Sequence, residues 1–437
     1  MTIPRRIVPF LLIALVAALA VAPGASAKSK SKRAKGPHFR GIQVLSLRPG
    51  TTAQHIRDHL DLARRLRANV VRTEILWSAF EPTPGTYDPA SVGLADTFMR
   101  EARARHLKVL VTVLSTPCWT TTAPAPDCAT ADGRADAAKY PPADAAAFGR
   151  VSAFIAGRYK SDLAGFEVWN EPDQVNQLYF AGPDKVRRYV ALMKASYPAV
   201  KAAAPKVPVL GGGFVGGNGK FLEALYAEGF KGTYDILSVH FYDLVLLSLR
   251  DIRAIQARHG DRKPVWLAEF GWPSCAPRHR RAGAHICLTR SWQARSEGDV
   301  FRALAMKRGR FVRGAIVYTL QDSPGFPFGA VDLRARPKPV FRTLRAAFLG
   351  RLGAPRKVGL KLRTRGGRVT ASGSGPVADA YEMNVWQGRT LRYRVAFRLS
   401  RTGRYSIRLP RALGTRNLTV QVFQYWLGSK RGAVRRT

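Results

Sequence analysis

Residues 165–172, Gly-Phe-Glu-Val-Trp-Asn-Glu-Pro, form an apolar β-strand pattern that ends at Glu171. Residues 264–271, Pro-Val-Trp-Leu-Ala-Glu-Phe-Gly, have the same pattern and place Glu269 at the end of a second strand. Burial disfavours the charged form of a carboxylate, so a glutamate at the end of an apolar strand is costly unless the site uses it. We therefore expect Glu171 and Glu269 to have a chemical role.

The chain around these two stretches alternates between strand-like and helical patterns. The helical pattern is clearest at residues 51–67, where Ile56, Leu60, Ala63 and Leu66 share one face after an N-terminal threonine. Eight strands alternating with helices over residues 39–350 predict an α/β fold, the (β/α)₈ TIM barrel. A doubly wound open sheet is the competing architecture. The predicted strands are residues 39–44, 69–74, 108–113, 165–170, 207–212, 235–240, 264–269 and 314–319.

Functional groups of a TIM barrel gather at the C-terminal ends of its strands. Asn, Arg and His side chains there would hydrogen-bond sugar hydroxyls, and indole rings would stack on the apolar faces of sugars. Two carboxylates about 5 Å apart meet the requirement for retaining glycoside hydrolysis, in which one protonates the leaving oxygen and the other attacks the anomeric carbon. The candidate residues at this rim are Arg72, Trp77, Trp119, Asn170, Glu171, His240, Tyr242, Glu269 and Trp272.

At these residues the chain resembles the clan A glycoside hydrolases, retaining barrel enzymes that include families 5 and 39. In that clan an Asn-Glu pair at the end of strand four carries the acid/base, and a glutamate at the end of strand seven is the nucleophile. The resemblance covers about residues 39–349. It implies that Glu171 is the acid/base and Glu269 the nucleophile, and that the reaction needs no metal or other cofactor.

The same resemblance implies roles for the surrounding residues. Asn170 would hold the sugar 2-hydroxyl, Arg72 would support the nucleophile, and His240 and Tyr242 would line the −1 subsite. The chain departs from the clan at the end of strand eight, where many members have a tryptophan as a sugar platform. Residues 317–322 are Val-Tyr-Thr-Leu-Gln-Asp here, so Tyr318 is the candidate substitute.

Residues 354–437 have a different sequence pattern, in which apolar residues alternate with basic or polar ones. Gly366-Gly367 is typical of a hairpin turn. We expect a small C-terminal all-β sandwich. It is the most basic part of the chain, with 20 Lys and Arg against two acidic residues between positions 351 and 437.

The N-terminus has the pattern of a secretory signal peptide at residues 1–27. Arg5 and Arg6 precede the apolar residues 7–21, and Ala25-Ser26-Ala27 is a small-residue cleavage site. An uncleaved anchor is the alternative, although the apolar run is shorter than the ~20 residues of a spanning helix. Residues 28–38 are a basic linker. The protein is therefore expected to be secreted, extracellular or cell-wall associated.

Four cysteines fall into two local pairs. Export favours disulfides, with Cys118 joined to Cys128 and Cys275 to Cys287. Three pairings are formally possible. A four-cysteine zinc site is the alternative, but it would need closely spaced ligand pairs that the sequence lacks.

The formal net charge is +42, from 71 Lys and Arg against 29 Asp and Glu. Nucleic acid is a poor candidate partner, because the export signal argues against it and no nucleic-acid-binding signature is present. An anionic cell-wall polymer bound through the basic C-terminal domain fits the charge better. A general arginine-rich composition explains the charge equally well.

These observations predict a secreted, retaining β-glycoside hydrolase that acts on a polysaccharide or oligosaccharide. A non-catalytic carbohydrate-binding or cell-wall-binding protein on a barrel scaffold is the alternative from another functional class. A transglycosylase is the third possibility, since its chemistry is the same until the acceptor arrives. Retention of a glutamate at both strand ends favours an enzyme, because binding alone does not require the pair.

Overall fold

The computed structural model describes residues 36–274, 289–376, 380–400 and 403–434. The predicted signal peptide, residues 28–35 of the predicted linker, and both Cys275 and Cys287 lie outside these residues. None of the helices in the described ranges combines the length and the apolar character needed to cross a bilayer.

Eight parallel strands form a closed barrel in which β1 pairs with both β2 and β8. The prediction of a TIM barrel is confirmed, and closure rules out the open sheet. Each strand begins and ends within two residues of its predicted position. The strands are β1 (Phe39–Gln43), β2 (Val70–Leu76), β3 (Lys108–Leu114), β4 (Leu163–Val168), β5 (Val209–Phe214), β6 (Ile236–His240), β7 (Val265–Phe270) and β8 (Val312–Val317).

Helices surround the barrel and bury their apolar faces against it. The predicted first helix begins after Thr52, whose hydroxyl accepts a hydrogen bond from the backbone N–H of His55 at 3.1 Å, as an N-cap does. The helices are α1 (Ala53–Arg65), α2 (Trp77–Phe80), α3 (Pro89–Ala104), α4 (Ala131–Ala137), α5 (Ala145–Tyr159), α6 (Lys185–Ala203), α7 (Lys220–Ala227), α8 (Val245–Arg258), α9 (Arg290–Leu304) and α10 (Pro339–Phe348).

The barrel interior changes from apolar to polar along the strands. Because side chains alternate along a strand, β2 points Val70, Arg72 and Glu74 successively inward. One end of the interior is filled by apolar side chains: Val70, Leu110, Ala164, Leu210, Ile236, Trp266, Ala268 and Ile316. Towards the C-terminal ends of the strands, the buried side chains are Gln43, Arg72, Thr112, Glu167, Ser238 and His240.

Two antiparallel sheets follow the barrel and pack face to face as the predicted sandwich. One has the order β13-β10-β9 and the other the order β12-β11-β14-β15. Their shared core includes Val369, Tyr381, Met383 and Val420. The strands are β9 (Lys361–Arg365), β10 (Arg368–Ser374), β11 (Ala380–Gln387), β12 (Thr390–Arg398), β13 (Arg404–Arg408), β14 (Leu418–Gln424) and β15 (Gly428–Val434).

The sandwich packs directly against the barrel. Trp426 is almost completely buried in the barrel's apolar cluster, and its indole N–H donates to the carbonyl of Ala303 at 2.7 Å. Arg398 donates to Asp243, which follows β6, at 2.7 Å. The C-terminal sheets are therefore held against the side of the barrel by an apolar anchor and by an ion pair.

Candidate active site

The structure brings together six of the predicted site residues at the C-terminal end of the barrel. Arg72 comes from β2, His240 ends β6, and Glu269 lies one residue before the end of β7. Asn170, Glu171 and Tyr242 follow strands directly. Residues up to 197 positions apart in the chain thus share one pocket, as the strand-end pattern predicted.

A backbone turn places Glu171 in the pocket. After β4 ends at Val168, Trp169 and Glu171 adopt left-handed backbone conformations with φ of 65° and 45°. Such conformations cost a non-glycine residue about 1–2 kcal/mol each, and they concentrate at functional sites. The amide of Glu171 donates to the carbonyl of Gly213 at 2.9 Å, which fixes the turn against β5.

Glu171 and Glu269 face each other across the pocket. A carboxylate oxygen of Glu171 and one of Glu269 lie within 4.8 Å of each other, and both are within 4.8 Å of a ring nitrogen of His240. Glu171 is 4% exposed and Glu269 is 3% exposed. The two carboxyl groups therefore share one buried pocket.

Arg72 organises one side of the pocket. Its buried guanidinium donates from Nη1 to Glu269 Oε1, from Nη1 to Gln43 Oε1 at 2.9 Å, and from Nη2 to Asn170 Oδ1 at 2.8 Å. Its Nε donates to Glu167 Oε2 at 2.8 Å. Burial lowers the pKa of Arg72, but the carboxylates of Glu167 and Glu269 outweigh that effect and raise it, so the cation is permanent.

Glu167 lies beneath the pocket, completely buried. Its carboxylate accepts hydrogen bonds from Arg72, from Ser238, and from Thr112 at 2.5 Å. Burial alone would raise the pKa of Glu167, but Arg72, His240 and these hydrogen bonds lower it well below its usual range. Glu167 is therefore a fixed negative charge that balances the cations above it.

His240 lies between the carboxylates as a second cation. Its Nδ1 is 3.1 Å from Glu171 Oε1 and 3.8 Å from Glu269 Oε1, and its Nε2 is 3.6 Å from Glu167 Oε1. Burial lowers the pKa of His240, but Glu269, Glu167 and Glu171 raise it to about 10. The ring is therefore an imidazolium at neutral pH.

Tyr242 completes the surroundings of Glu269. Its hydroxyl donates to Glu269 Oε2, while Arg72 occupies Oε1. Burial and the charges of Glu269 and Glu171 raise the pKa of Tyr242 well above its ordinary value. Both oxygens of Glu269 thus accept hydrogen bonds from groups that stay protonated, and these bonds hold its carboxyl group in one orientation.

Comparisons with known proteins agree with this geometry. The sequence model of cellulase (glycosyl hydrolase family 5) matches residues 33–277, which is more than half of the chain. The chain belongs to glycosyl hydrolase family 5. It is accordingly a glycoside hydrolase, with a carbohydrate as its substrate. No curated protein matches the sequence.

Solved structures resemble the hydrolase at low sequence identity, and they support the fold alone. Three of them are family 39 glycoside hydrolases. One comes from the gut symbiont Bacteroides cellulosilyticus WH2, with 17% identity, a TM-score of 0.53, and coverage of 87% of this chain and 80% of that one. One comes from Xanthomonas axonopodis pv. citri, with 14% identity, a TM-score of 0.52, and coverage of 86% and 93%. A β-xylosidase from Caulobacter crescentus has 18% identity, a TM-score of 0.55, and coverage of 81% and 84%.

The pocket of the hydrolase also contains Glu74 and Tyr179, neither of which is among the predicted site residues. Glu74 points inward two residues after Arg72, and its Oε2 accepts a hydrogen bond from Ser46 at 2.6 Å. Burial, Glu171, Glu74 and Glu269 together raise the pKa of Tyr179. Glu74 could have been found from the inward alternation of β2, whereas Tyr179 lies in a loop whose path no periodicity reveals.

Gln174 is a further contact that sequence reasoning missed. Its side-chain amide donates to Glu171 Oε2, while His240 lies beside Oε1. Both oxygens of Glu171 therefore have a neighbour, and the carboxyl group is held in one orientation. Gln174 is in the loop after Glu171, and only the three-residue spacing hinted at the contact.

The aromatic residues predicted to stack on sugars differ in their burial. Trp77 is completely buried, and its indole N–H donates to Glu81 Oε2 at 2.6 Å, so the ring has no free face for a sugar. Trp77 was predicted to contact substrate. It has a structural role instead, because the short helix after β2 turns its indole ring into the core. Trp119 packs edge-on against it and donates to the carbonyl of Glu81 at 3.0 Å. Trp119 remains half-buried, as do Trp272 and Tyr318.

Tyr318, the predicted substitute for the missing tryptophan, directly follows the last residue of β8. Its ring packs edge-on against Tyr242 at a centroid distance of 5.9 Å. Burial together with Glu269, Glu74 and Glu171 raises the pKa of Tyr318. The phenol is therefore a neutral hydrogen-bonding group near the carboxyl groups of Glu171 and Glu269.

Cys118 and Cys128 form a disulfide, as predicted, in the loop after β3. The two cysteines are ten positions apart, and the loop that they close contains Trp119. Restricting a loop of this size in the unfolded chain contributes about 2–3 kcal/mol to stability.

The pocket also offers a possible metal-ligand set, which its electrostatics disfavour. Glu171, His240 and Glu269 each present one potential ligand atom within 4.8 Å of the others. A metal needs the neutral imidazole, whereas His240 has a pKa of about 10. The same three groups are suited to moving protons and charge between two carboxylates.

Proposed function

We propose that the enzyme is a retaining β-glycoside hydrolase, with Glu269 as nucleophile and Glu171 as acid/base. The observation that carries the proposal is the separation of less than 4.8 Å between their carboxylate oxygens. Retaining enzymes hold the two carboxyl groups about 5–5.5 Å apart, whereas inverting enzymes hold them at about 6.5–9.5 Å to admit water.

In the first step, an oxygen of Glu269 attacks the anomeric carbon as the bond to the leaving oxygen breaks. Glu171 donates its proton to that oxygen, and the sugar remains as an ester of Glu269. In the second step, Glu171 takes a proton from water, the water oxygen attacks the same carbon, and Glu269 leaves as a carboxylate. Two inversions restore the original configuration of the sugar.

The cation of His240 supports this exchange of charge. Negative charge leaves Glu269 when the ester forms and appears on Glu171 when the proton departs. His240 Nδ1 lies 3.1 Å from Glu171 and 3.8 Å from Glu269, so one imidazolium is close to the charge in both states. Preorganised charge of this kind needs no reorganisation during the reaction.

We propose that the sugar in the pocket is neutral and not a uronic acid. Glu74 and Glu269 share the pocket, and their carboxylates would repel a substrate carboxylate. The cation of Arg72 is already engaged by Glu167 and Glu269. In the described part of the chain, the hydroxyls of Tyr179 and Tyr318 have no hydrogen-bond partner. They are therefore available to the hydroxyls of a neutral sugar.

Secretion is part of the same proposal. The signal-peptide pattern of residues 1–27 and the disulfide between Cys118 and Cys128 both suit an oxidising extracellular location. The basic C-terminal domain is proposed to retain the enzyme on an anionic cell-wall polymer. Retention of this kind must weaken as salt screens the charges.

A panel of aryl β-glycosides tests the catalytic proposal, with the anomeric configuration of the first product followed by NMR. We expect hydrolysis of at least one neutral β-glycoside with a β-configured first product. An α-configured first product would refute the retaining mechanism. Wild-type rates from the Glu269→Gln variant would refute the assignment of the nucleophile.

A further inference from the structure

The outer face of the three-stranded sheet is the most basic regular surface among the described residues. Val369 and Ala371 of β10 are buried in the sandwich core, so the alternate residues of this strand point outward. The same holds for β13, where Tyr405 is buried. We call the six basic residues on this outward side the cationic face: Lys361, Arg363, Arg365, Arg368, Arg404 and Arg408.

Strand pairing arranges five of these residues in two rows, on β9 and β13, and Arg368 lies at the start of the central strand β10. Thr370 of β10 lies between Arg408 on one side and Arg363 on the other. Ser374 pairs with Arg404, and Ser372 pairs with Lys361. The central strand thus contributes a row of hydroxyls with cations on both flanks, at spacings of about 4.8 Å between strands and about 6.7 Å along them.

The charges of the cationic face are free for a ligand. No side-chain nitrogen of this face has an ion-pair or hydrogen-bond partner within the described ranges, and the outward positions of the face include no acidic residue. Other arginines of the domain are neutralised: Arg356 pairs with Asp299, Arg394 with Glu382, and Arg398 with Asp243. Arginines elsewhere in the domain thus form ion pairs with carboxylates, whereas those of the cationic face do not within the described ranges.

The composition of the face narrows the kind of partner. It presents no apolar side chain to insert into a bilayer, and no aromatic ring on which a nucleic-acid base or a neutral sugar could stack. What remains is a flat array of guanidinium groups beside hydroxyls. Guanidinium groups bind carboxylates through two parallel hydrogen bonds, and the hydroxyls can pair with those of sugars.

We propose that the cationic face binds an extended acidic polysaccharide, with the chain lying along β10 and its carboxylates contacting the arginines of β9 and β13. This inference rests on the proposed retention of the enzyme by an anionic polymer, and it names the surface and the ligand chemistry. In the catalytic pocket, the carboxylates of Glu74 and Glu269 disfavour a uronic acid of the same polymer. The acidic polysaccharide is therefore the anchor of the enzyme, and a neutral glycan is its substrate.

Binding to polygalacturonate by co-sedimentation at a series of salt concentrations tests the proposal. The face variant replaces Arg363, Arg365, Arg404 and Arg408 with serine. The control variant replaces Arg64, Arg389, Arg392 and Arg416 with serine and so has the same net charge as the face variant. These four arginines lie outside the cationic face, are exposed, and have no ion pair with any described residue. Circular dichroism verifies the folding of both variants.

We expect the wild type to bind at low salt and to dissociate as salt rises. The face variant should lose about tenfold or more in affinity, and the control much less. Equal losses in the two variants would overturn the face assignment, because overall charge would then explain binding. Tighter binding to polyphosphate or to phosphatidylglycerol vesicles than to polygalacturonate would overturn the assignment to a carboxylate polymer.

Turnover of an aryl glycoside in the same samples separates this proposal from the catalytic one. The small substrate does not need the anchor, so the face variant should keep the wild-type rate. A wild type that hydrolyses the glycoside without binding any anionic polymer refutes the anchor but not the catalytic proposal. A wild type that binds polygalacturonate without hydrolysing any glycoside refutes the catalytic proposal alone.

Discussion

The Nδ1 atom of His240 lies 3.1 Å from Oε1 of Glu171, and 3.8 Å from the nearest oxygen of Glu269. The two proposed catalytic groups therefore share one cation. Glu167 lies beneath the His240 ring, and Arg72 lies at the side of the pocket. The pocket thus contains two positive charges, those of Arg72 and His240, among several carboxylates. This balance of charge has measurable consequences.

The first consequence is a pH dependence of stability. The pKa of His240 is raised from 6.5 to about 10, so its contribution to stability is complete below pH 6.5 and is lost as pH rises to about 10. Across that interval the wild type should lose up to about 1.4 kcal/mol per pH unit from this residue. Urea unfolding of wild type and His240→Gln between pH 6 and 10 measures the difference in slope.

Parallel slopes in the two proteins would contradict the charged state of His240. Nitrogen NMR of the imidazole gives a second measurement that does not depend on the variant. The ring signals should stay in the protonated position at neutral pH and shift only near pH 10.

The second prediction distinguishes the two glutamates by their response to the leaving group. Glu269→Gln should lose at least about 10⁴-fold in turnover of every glycoside, because no covalent intermediate can form. Glu171→Gln should lose about 10²–10⁴-fold on substrates with poor leaving groups and much less in the first step with a good one. Steady-state and burst kinetics with a series of aryl glycosides measure both effects.

Azide provides the control for these assignments. It should restore turnover of a Glu171→Ala variant and give a β-glycosyl azide, since azide needs no general base to attack the ester. Glu81→Gln serves as the matched control, because Glu81 bonds Trp77 and Gly85 outside the reacting pair, and it should retain most of the activity. A β-azide formed by a Glu269 variant would reverse our assignment.

The third prediction concerns the buried ion pair of Arg72 and Glu167. Arg72→Met leaves Glu167 buried without its cation and should destabilise the protein by about 3–5 kcal/mol. The double variant Arg72→Met with Glu167→Gln should recover part of this loss, since the uncompensated charge is gone. Denaturant unfolding of both single variants and the double variant gives the coupling energy, and strictly additive effects would argue against the pair.

The fourth prediction tests the role of Glu74 in substrate choice. Glu74→Gln removes one negative charge from the pocket, so the variant should accept uronides better than the wild type does. We expect kcat/KM for an aryl β-uronide, relative to the corresponding neutral glycoside, to rise by about tenfold or more. Glu74→Asp keeps the charge and should leave the ratio close to that of the wild type. An unchanged ratio in Glu74→Gln would place Glu74 outside substrate selection.

The sequence was sufficient for the barrel, because buried parallel strands appear as short apolar runs separated by helical patterns. It was also sufficient to bring Glu171 and Glu269 to one rim, since the barrel geometry converts a strand end into a position. It was less informative about orientation. Trp77 is only a few residues beyond Arg72, but a short helix turns its ring into the core, and local pattern gives no sign of that turn.

The network beneath the pocket was also beyond sequence reasoning. Glu167 lies in the same stretch as Glu171, but its partners Arg72, Thr112 and Ser238 come from three other strands. Their meeting depends on the registers between strands, which periodicity within one strand does not determine. The same limit applies to Tyr179, which reaches the pocket from a loop.

The most direct measurement of the central claim is covalent capture by a 2-deoxy-2-fluoro β-glycoside of the preferred sugar, followed by mass spectrometry. The second step slows more than the first with such a compound, so the ester should accumulate. We predict that the protein gains the mass of one fluoroglycosyl group, and that the modified peptide carries it on Glu269. An adduct on a residue other than Glu269 would contradict the account. So would the absence of any adduct together with a first hydrolysis product of inverted configuration.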